Sequence, residues 1–373
     1  MRFVAAADIA VIGAGVVGLA TAHALAERGA AVVVYERGVP GNGQSGGKSR
    51  IFRHAHDDPR LVAFACEARA VWREWEERFD RELLSRDGVI SIGAALDRHL
   101  AIVHAVGGIR ARRVCSAEIL DRIPLLARLE ERALLDEDGG VIDVRATIEA
   151  LSTELRHRLA FDEVLSIRRT KSGTVELRAG GVRREYARVI VCAGRGTAAL
   201  ARGAGLAIPV RQAAHVRLTY RVRGKPPARL ACLLDGSGAF GEPDAYAGAL
   251  PGNHAYAVGL YDTPVHEDGS LVDAGALASA AHRTTAYVER ALPGLDPLPV
   301  EARHCWVTEL PWGEDGIGAW EIGGVLVVAG NNLFKHAPAL GRALSRAALG
   351  EGLAPHLHPQ AQLGSDITDP GAR

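Results

Sequence analysis

Lysine is scarce in this sequence of 373 residues, which contains four lysines and forty arginines. The excess of arginine indicates a codon bias, so a lysine that is kept beside a functional motif attracts attention. Positive and negative charges balance, and the formal net charge at pH 7 is zero. Because the chain carries no excess of positive charge, neither nucleic acid nor an anionic membrane surface is expected as a partner.

Long apolar segments are also missing, since no hydrophobic run approaches the ~20 residues of a membrane-spanning helix. The N-terminal apolar stretch contains Asp8 and leads directly into a glycine-rich turn, which is not the pattern of a signal peptide. We therefore predict a cytoplasmic protein without a membrane partner.

The five cysteines are widely spaced and form no C-x-x-C pair, which argues against a disulfide framework. Histidine pairs occur at 54/56 and 356/358, but no set of carboxylates or cysteines lies at ligand spacing beside them, so no metal site is predicted. With 48% apolar residues, the chain can bury a sizeable core in two domains or in one large domain.

A glycine-rich turn between two apolar runs is the most informative feature of the N-terminal region. Residues 9–12 predict a buried strand, and Gly13, Gly15 and Gly18 follow with G-x-G-x-x-G spacing. A helix and a second apolar run come next, and Glu36 closes that run. This order of strand, turn, helix, strand and acid predicts a dinucleotide-binding unit.

Each part of this unit has a physical role in binding a dinucleotide. Gly15 has no Cβ, so a pyrophosphate can approach the backbone, where the free N–H groups of Val16 and Val17 face it at the helix N-terminus. Glu36 is placed to accept hydrogen bonds from a ribose diol, which disfavours NADP. The motif alone leaves both NAD and FAD open.

Two later segments resemble further strand-and-turn units of the same domain. Residues 186–192 predict an apolar strand that ends in a glycine-rich turn at 193–197. Residues 325–329 predict another buried strand, followed by Gly330, a loop and a helix at 338–349 whose first residue is proline. The segments between these units are rich in short β runs, so we expect a discontinuous nucleotide domain with a second domain inserted twice. The region after residue 351 is predicted to be extended.

Four signatures are spread over nearly the full length of the chain. They are Gly13 to Glu36, Ser49 to Ala55, Val189 to Gly194, and Cys305 together with Gly330 to Gly341. With these signatures the chain resembles the monomeric sarcosine oxidase and N-methyltryptophan oxidase family, within the D-amino-acid-oxidase-like FAD-dependent oxidoreductases. The resemblance implies FAD rather than NAD, and oxidation of a carbon–nitrogen bond in an amino acid or a related amine.

The fold implied is of the α/β class, with a discontinuous FAD-binding Rossmann-type domain and an inserted α+β substrate domain built on a mixed β-sheet. The predicted FAD-binding domain comprises residues 1–82, 144–214 and 304–373. The predicted substrate, or catalytic, domain comprises residues 83–143 and 215–303. A monomer is expected.

The resemblance also implies which residues bind the cofactor. Cys305 matches the position at which this family attaches FAD covalently, through a thioether to the 8α carbon of the flavin. A thiolate is needed there, and His304 or a nearby arginine is expected to assist. The other predicted cofactor contacts are Gly13, Gly15, Val16, Val17, Gly18, Glu36, Arg37, Ser45, Ser49, Arg50, Val164, Ala193, Gly194, Gly330, Asn332, Phe334 and Lys335.

Three basic residues are the predicted catalytic groups. Arg53 and Lys335 match the residues that hold the substrate carboxylate in the resembled family, one as a fork and the other as a point charge. Arg50 matches a basic residue over the flavin ring, where positive charge favours the reduced, anionic flavin. Tyr246 and Tyr256 are further candidate substrate contacts, although core packing is the default for either ring.

Three positions depart from the family pattern. Gly46 replaces a histidine near the flavin ring, and Asn331 begins a loop that lacks the usual glycine and histidine. Ala257 stands where the family has a lysine that assists the reaction with oxygen.

We therefore predict an oxidoreductase that oxidises a C–N bond of a small secondary, N-methyl or cyclic amino acid by hydride transfer to flavin N5, giving an imine. Either O2 or another electron acceptor would take up the electrons. The alternatives are a flavin dehydrogenase or desaturase that tailors an amino-acid-derived biosynthetic intermediate without rapid use of O2, and a non-catalytic FAD-binding protein.

Overall fold

The computed structural model describes residues 8–260, the backbone of 263–264, and residues 275–365. The strands in this part of the chain are β1 (Ile9–Ile12), β2 (Val32–Glu36), β3 (Ser49–Phe52), β4 (Val89–Gly93), β5 (Ala111–Val114), β6 (Ala133–Asp136), β7 (Gly140–Asp143), β8 (Leu159–Phe161), β9 (Val164–Arg169), β10 (Val175–Ala179), β11 (Val182–Tyr186), β12 (Arg188–Val191), β13 (Arg211–Val222), β14 (Cys232–Gly236), β15 (Ala245–Ala249), β16 (Ala255–Leu260), β17 (Thr263–Pro264), β18 (Leu295–Glu309), β19 (Ile317–Ile322) and β20 (Val325–Gly330). The helices are α1 (Val16–Glu27), α2 (Pro59–Phe79), α3 (Leu96–Val106), α4 (Ser116–Arg122), α5 (Val144–Glu154), α6 (Thr197–Gly203), α7 (Ala276–Ala291) and α8 (Leu333–Ala348).

The first sheet has six strands in the order β19-β20-β12-β1-β2-β8. All but β19 run parallel to their neighbours. Parallel strands are buried on both faces, which explains their continuous apolar runs. Helices α1 and α8 cover one face, whereas α6 and the three-stranded sheet β11-β10-β9 cover the other. This arrangement confirms the predicted Rossmann-type domain.

The second large sheet contains strands from both predicted insertions. Its order is β17-β13-β16-β15-β14-β4-β6-β5, and β18 pairs with β13. Most pairs are antiparallel, but β14 and β4 are parallel, so the sheet is mixed as predicted. Helix α7 packs against one face of this sheet in a second hydrophobic core. Strands β13 and β18 run across the predicted boundaries at 214/215 and 303/304, and the domain limits stay a prediction.

The pair Asp58-Pro59 predicts the start of a helix, and helix α2 begins there. Asp58 is the N-cap residue, and its carboxylate accepts a hydrogen bond from the backbone N–H of Arg60 at 2.9 Å, with Pro59 at the first helical position. The apolar stripe of this helix faces the core of the first sheet and consists of Leu61, Phe64, Ala68, Val71, Trp72 and Trp75. This packing holds the preceding loop, which contains Arg53, next to the nucleotide domain. None of the helices described is long and apolar enough to cross a membrane.

Helix α8 begins five residues earlier than the sequence predicts, which corrects the position of its N-terminus. Its first residue is Leu333, and Pro338 lies inside the helix. Asn332 precedes it in the left-handed conformation, with φ of 53°. Tertiary packing overrides the preference of proline for the first position, because α8 lies closely against α1: a Cβ on Gly341 would come within 2.6 Å of the backbone of Ala20.

The region after residue 351 is not extended throughout, contrary to prediction. It forms two short 3-10 turns, Pro355–Leu357 and Pro359–Ala361, and Leu363 then forms a bridge to Ile317. Leu357 and Leu363 are buried, so apolar contacts with the first core hold this segment in place.

Candidate active site

The nucleotide-binding turn between β1 and α1 requires two of its glycines for packing. Gly13 has φ of +99°, and a Cβ there would lie 2.5 Å from the carbonyl oxygen of Cys192. A Cβ on Gly18 would lie 1.9 Å from the carbonyl oxygen of Gly13. At Gly15, by contrast, a Cβ would meet only the hydroxyl of Ser45, at 3.1 Å, so this side of the turn is open.

The N-terminus of α1 offers free hydrogen-bond donors to an anion. The backbone N–H of Val16 donates to Ser45 Oγ at 3.0 Å. Within the described residues, the N–H groups of Val17 and Gly18 have no protein acceptor. Two free donors at the positive end of a helix, beside an open glycine, fit the pyrophosphate of FAD.

Glu36 closes the same turn from the end of β2. Its carboxylate accepts hydrogen bonds from the backbone N–H of Ala14 at 2.8 Å and of Gly38 at 2.9 Å. The next residue, Arg37, contacts Glu163 at 3.2 Å, and Glu163 directly precedes Val164 at the start of β9. The predicted cofactor contacts Glu36, Arg37 and Val164 therefore lie close together, and the contact of Glu36 with a ribose stays a prediction.

The turns after β12 and β20 lie at the same edge of the sheet as the turn after β1, because the three strands are parallel. Gly194, in the turn after β12, has φ of +55°, and a Cβ there would be 2.7 Å from the side-chain oxygen of Gln44. Gly330 has φ of +153° and leaves no room for a Cβ, which would lie 2.3 Å from the Gly316 carbonyl oxygen. Predicted cofactor residues from three distant segments, including Ala193, Asn332 and Phe334, therefore line one edge.

Arg50 lies on β3, directly after the glycine-rich loop. Its guanidinium donates to the carbonyl oxygens of Gln44 at 3.1 Å, Gly46 at 2.5 Å and Ser49 at 2.9 Å. Arg217 from β13 donates to the same Ser49 carbonyl at 2.6 Å. Burial and the neighbouring Arg217 charge lower the pKa of Arg50 to about 10. The structure thus places two guanidinium groups, those of Arg50 and Arg217, where the sequence predicts the charge of Arg50 alone.

A third arginine lies against Gly46, the position at which the resemblance implies a histidine. A Cβ on Gly46 would be 2.1 Å from an Nη atom of Arg303. Arg303 lies on β18, directly opposite Arg217 on β13. Because glycine has no side chain, it leaves room here for a cation from another strand.

Cys305 lies on β18 directly opposite His215 on β13. Directly opposed residues share one face of a sheet, so His215 and Cys305 are neighbours. His304 lies opposite Val216, which belongs to the core on the other face, so His304 is not the assisting residue that the sequence suggests. Burial alone would raise the pKa of the Cys305 thiol, but its hydrogen bond to His215 and the nearby arginine charges lower that pKa to about 7.

The two tyrosines predicted to contact the substrate lie on opposite faces of the second sheet. The Tyr246 ring is edge-on to His215, with ring centroids 5.7 Å apart, and therefore lies beside Cys305. Tyr256 is completely buried in the second core, and its hydroxyl donates to the carbonyl oxygen of Ala231 at 2.7 Å. This burial argues against a contact between Tyr256 and a substrate. Ala257, the next residue, faces the same side as Tyr246.

Arg53 lies in the loop that follows β3 and Lys335 lies on α8, but both converge on one carboxylate. Asp315 accepts a hydrogen bond from Arg53 Nη2 at 2.8 Å and lies 3.5 Å from Lys335 Nζ. His56 Nδ1 lies 2.8 Å from one oxygen of Asp315, and Asn332 Nδ2 lies 2.6 Å from the other. The two residues predicted to bind a carboxylate thus bind one that belongs to the chain itself.

The charges in this cluster depend on its burial. Burial lowers the pKa of Lys335 to about 7, against the attraction of Asp315. Burial alone would raise the pKa of Asp315, but the charges of the neighbouring Lys335 and Arg53 hold the pKa of this carboxyl well below its usual range. The pKa of His56 falls well below its ordinary value, chiefly because of burial, so His56 is neutral near pH 7.

The cluster opens into a cavity of about 420 Å³ between the start of α2 and the ends of β4 and β14. Arg53 and Asp315 line one side, and Gly93 and Asp235 line another. A small ligand that enters this cavity would therefore meet the Arg53–Asp315 pair.

The chain matches the profile of the "FAD dependent oxidoreductase" family over residues 8–347. It belongs to this family. The protein is therefore an enzyme that uses FAD, and the resemblance seen in the sequence is confirmed. Its relatives include the peroxisomal sarcosine oxidase of Homo sapiens, at 26% identity over 82% of this chain and 81% of that one. The N-methyl-L-tryptophan oxidase of Salmonella arizonae is 28% identical over 46% of this chain and 44% of its own length.

Solved structures show the same fold. A mutant of NikD, described as an unusual amino acid oxidase essential for nikkomycin biosynthesis, superposes with a TM-score of 0.79. The two chains are 22% identical, and the superposition covers 98% of this chain and 99% of NikD.

Sequence reasoning missed His215, Arg217 and Asp315. The first two carry a readable signal, because polar residues at 215, 217 and 219 alternate with apolar residues at 216, 218 and 220. A row of polar side chains on one face of a largely buried strand indicates a functional surface. Asp315 offers no such signal, since it lies in a turn beside glycine.

Proposed function

We propose that this enzyme oxidises a C–N bond of a small secondary, N-methyl or cyclic amino acid to an imine. The observation that carries this proposal is the convergence of Arg53 and Lys335 on one carboxylate. A guanidinium and an ammonium that already hold a carboxylate have the spacing needed to hold the carboxylate of an amino acid. Bound FAD supplies the hydride acceptor for such a reaction.

The chain's own residues would hold and polarise the cofactor. The turn from Gly13 to Gly18 would bind the pyrophosphate, and Cys305 would form the covalent link to the flavin. Support for this link comes from His215, which lies directly across the sheet and helps to lower the pKa of the thiol to about 7. Arg50 and Arg217 add positive charge on the same side, which favours an anionic cofactor ring.

A second candidate function is a dehydrogenase or desaturase that passes its electrons to an acceptor other than O2. Ala257 favours it, because this small apolar residue is 4% exposed on the face that carries Tyr246. In the resembled family a lysine at the matching position assists the reaction with oxygen. A methyl group cannot provide that positive charge.

An anaerobic screen tests the reaction class. Purified holoenzyme is mixed with N-methyl and cyclic amino acids, and flavin bleaching is followed by visible absorbance. At least one amino acid should bleach the flavin, while the matching decarboxylated amine should not. If no amino acid bleaches the flavin, or if the amines react equally well, the proposed role of the Arg53–Lys335 pair is refuted.

Acid precipitation tests the covalent link separately. The wild-type pellet should stay yellow, and the pellet of a Cys305→Ser variant should be colourless. Cys115→Ser is the matched control, because Cys115 is an exposed cysteine whose loss should leave the pellet yellow. A colourless wild-type pellet would exclude the link.

A further inference from the structure

Asp315 is held more completely than an ordinary surface carboxylate. One of its oxygens accepts from Arg53 and His56, each at 2.8 Å. The other accepts from Asn332 at 2.6 Å and lies 3.5 Å from the ammonium of Lys335. Four donors on two oxygens are a nearly full complement for a carboxylate. The Asp315 side chain therefore occupies the position that the two cations offer to an anion.

The terminal nitrogens of Arg53 are both engaged within the chain. Nη2 donates to Asp315, and Nη1 donates to the carbonyl oxygen of Ala55. Lys335 is 4% exposed and faces the same carboxylate. A substrate carboxylate cannot bind end-on across Nη1 and Nη2 of Arg53 while both partners stay in place.

The main chain around Asp315 is fixed, but its side chain faces the cavity. A Cβ on Gly364 would be 2.3 Å from the carbonyl oxygen of Asp315, so the C-terminal segment packs directly on this turn. The Asp315 side chain nevertheless retains 18% exposure and lines the 420 Å³ cavity with Arg53. A rotation of the Asp315 side chain into this cavity would free the cations from their present partner without a change of the main chain.

We propose that Asp315 is an internal competitor for the carboxylate subsite, so that a substrate carboxylate binds Arg53 and Lys335 only when the Asp315 side chain withdraws. This inference rests on the proposed function. A tethered carboxylate acts at an effective concentration on the order of millimolar or higher, which an incoming carboxylate must exceed. If Asp315 stayed in place instead, two carboxylates would repel each other beside the same cations. Asp315 thus lowers the affinity for every carboxylate and selects ligands with additional contacts in the cavity.

Isothermal titration calorimetry of the oxidised holoenzyme with acetate tests this competition, because acetate offers a carboxylate and no oxidisable C–N bond. Acetamide is the neutral ligand of the same shape. Asp315→Asn should bind acetate at least about tenfold more tightly than wild type and acetamide with the same affinity. Asp57→Asn is the matched control: Asp57 lines the same cavity but pairs with Arg98 and His99, so acetate affinity should not change.

Acetate affinity that is unchanged or weaker in Asp315→Asn would show that Asp315 is a structural ion-pair partner and would overturn the proposal. A gain of the same size in Asp57→Asn would also overturn it, because the effect would then be one of general charge.

Asn332→Gly gives a second test if Asp315→Asn does not fold. It removes a donor to Asp315, and glycine accepts the positive φ of this position. Acetate should then bind more tightly than to wild type, and equal or weaker binding would contradict the proposal.

The titration involves no turnover, so it separates the two hypotheses. A failed substrate screen refutes the proposed function without changing the acetate result. Unchanged acetate binding refutes the competition even if an amino acid is oxidised.

Discussion

The pairing of His215 with Cys305 leads to a quantitative prediction about thiol reactivity. The substitution His215→Phe keeps an aromatic ring against Tyr246 but removes the hydrogen bond and the charge that act on the cysteine. Burial, which raises the pKa of the thiol, then acts with only the arginine charges to oppose it. We therefore expect the pKa of Cys305 to rise in this variant.

The size of the effect follows from the thiolate fraction. With a pKa of about 7, half of Cys305 is thiolate at pH 7. With an ordinary cysteine pKa of ~8.5, only about 3% would be thiolate at that pH. Reactions that need the thiolate should therefore slow about fifteenfold at pH 7 in His215→Phe, and further if burial raises the pKa above the ordinary value.

Alkylation of the apoprotein by iodoacetamide measures this directly. The protein is produced in flavin-depleted cells, treated across a pH series, and digested for mass spectrometry of the Cys305 peptide. The wild-type rate should reach half of its maximum near pH 7, and the variant should do so only above pH ~8.5. The exposed Cys115 in the same samples is the internal reference, and its rate should not differ between the two proteins.

Equal pH midpoints for wild type and His215→Phe would refute the reasoning, as would a wild-type midpoint at the ordinary cysteine value. The rate of covalent FAD incorporation, read from flavin fluorescence on a denaturing gel, should fall in the same proportion. If incorporation stayed fast while alkylation slowed, His215 would control thiol acidity without limiting the formation of the link.

Three other substitutions probe the turn, the cation cluster and the acceptor. Gly18→Ala should destabilise the holoenzyme by about 1–3 kcal/mol in denaturant unfolding and weaken FAD retention, because its Cβ would meet the Gly13 carbonyl. Gly43→Ala is the control, because a Cβ at Gly43 would have no described atom within 4 Å. Equal stability of the two variants would contradict the packing argument. Lys335 has a pKa of about 7 and carries its charge below that pH, so acetate affinity measured by calorimetry should fall as the pH rises through 7. Lys335→Met should remove this pH dependence. A pH dependence that persists in Lys335→Met would assign the titration to another group. Ala257→Lys should accelerate reoxidation of the reduced enzyme by air in stopped-flow experiments, and a wild type that already reoxidises as fast would remove the argument for another acceptor.

Several features of this protein could be predicted from the sequence, because short segments encode them. The turn after β1 needs glycine at positions only a few residues apart, and the strand and helix on either side follow from local apolar patterns. Asp58 and Pro59 predict the start of α2 for the same reason: capping is settled by neighbouring residues. The family resemblance then correctly indicated FAD and the two-part fold.

Other features were decided by contacts between distant segments. Proline at 338 predicted a helix start, but packing of α8 on α1 moved that start to Leu333. Tyr246 and Tyr256 could not be told apart from composition, because only the register of β15 and β16 shows which ring faces the core.

The chemistry of the site depends on the tertiary structure to the same degree. His215 reaches Cys305 through the pairing of β13 with β18, which joins residues ninety positions apart in the chain. Asp315 meets Arg53 and Lys335 only after three separate segments come together. The sequence by itself therefore determined which dinucleotide unit forms and which cations are available. The tertiary structure decided which histidine lies beside Cys305 and which carboxylate the cations hold, because cross-strand register and buried charge pairing arise only in the folded chain.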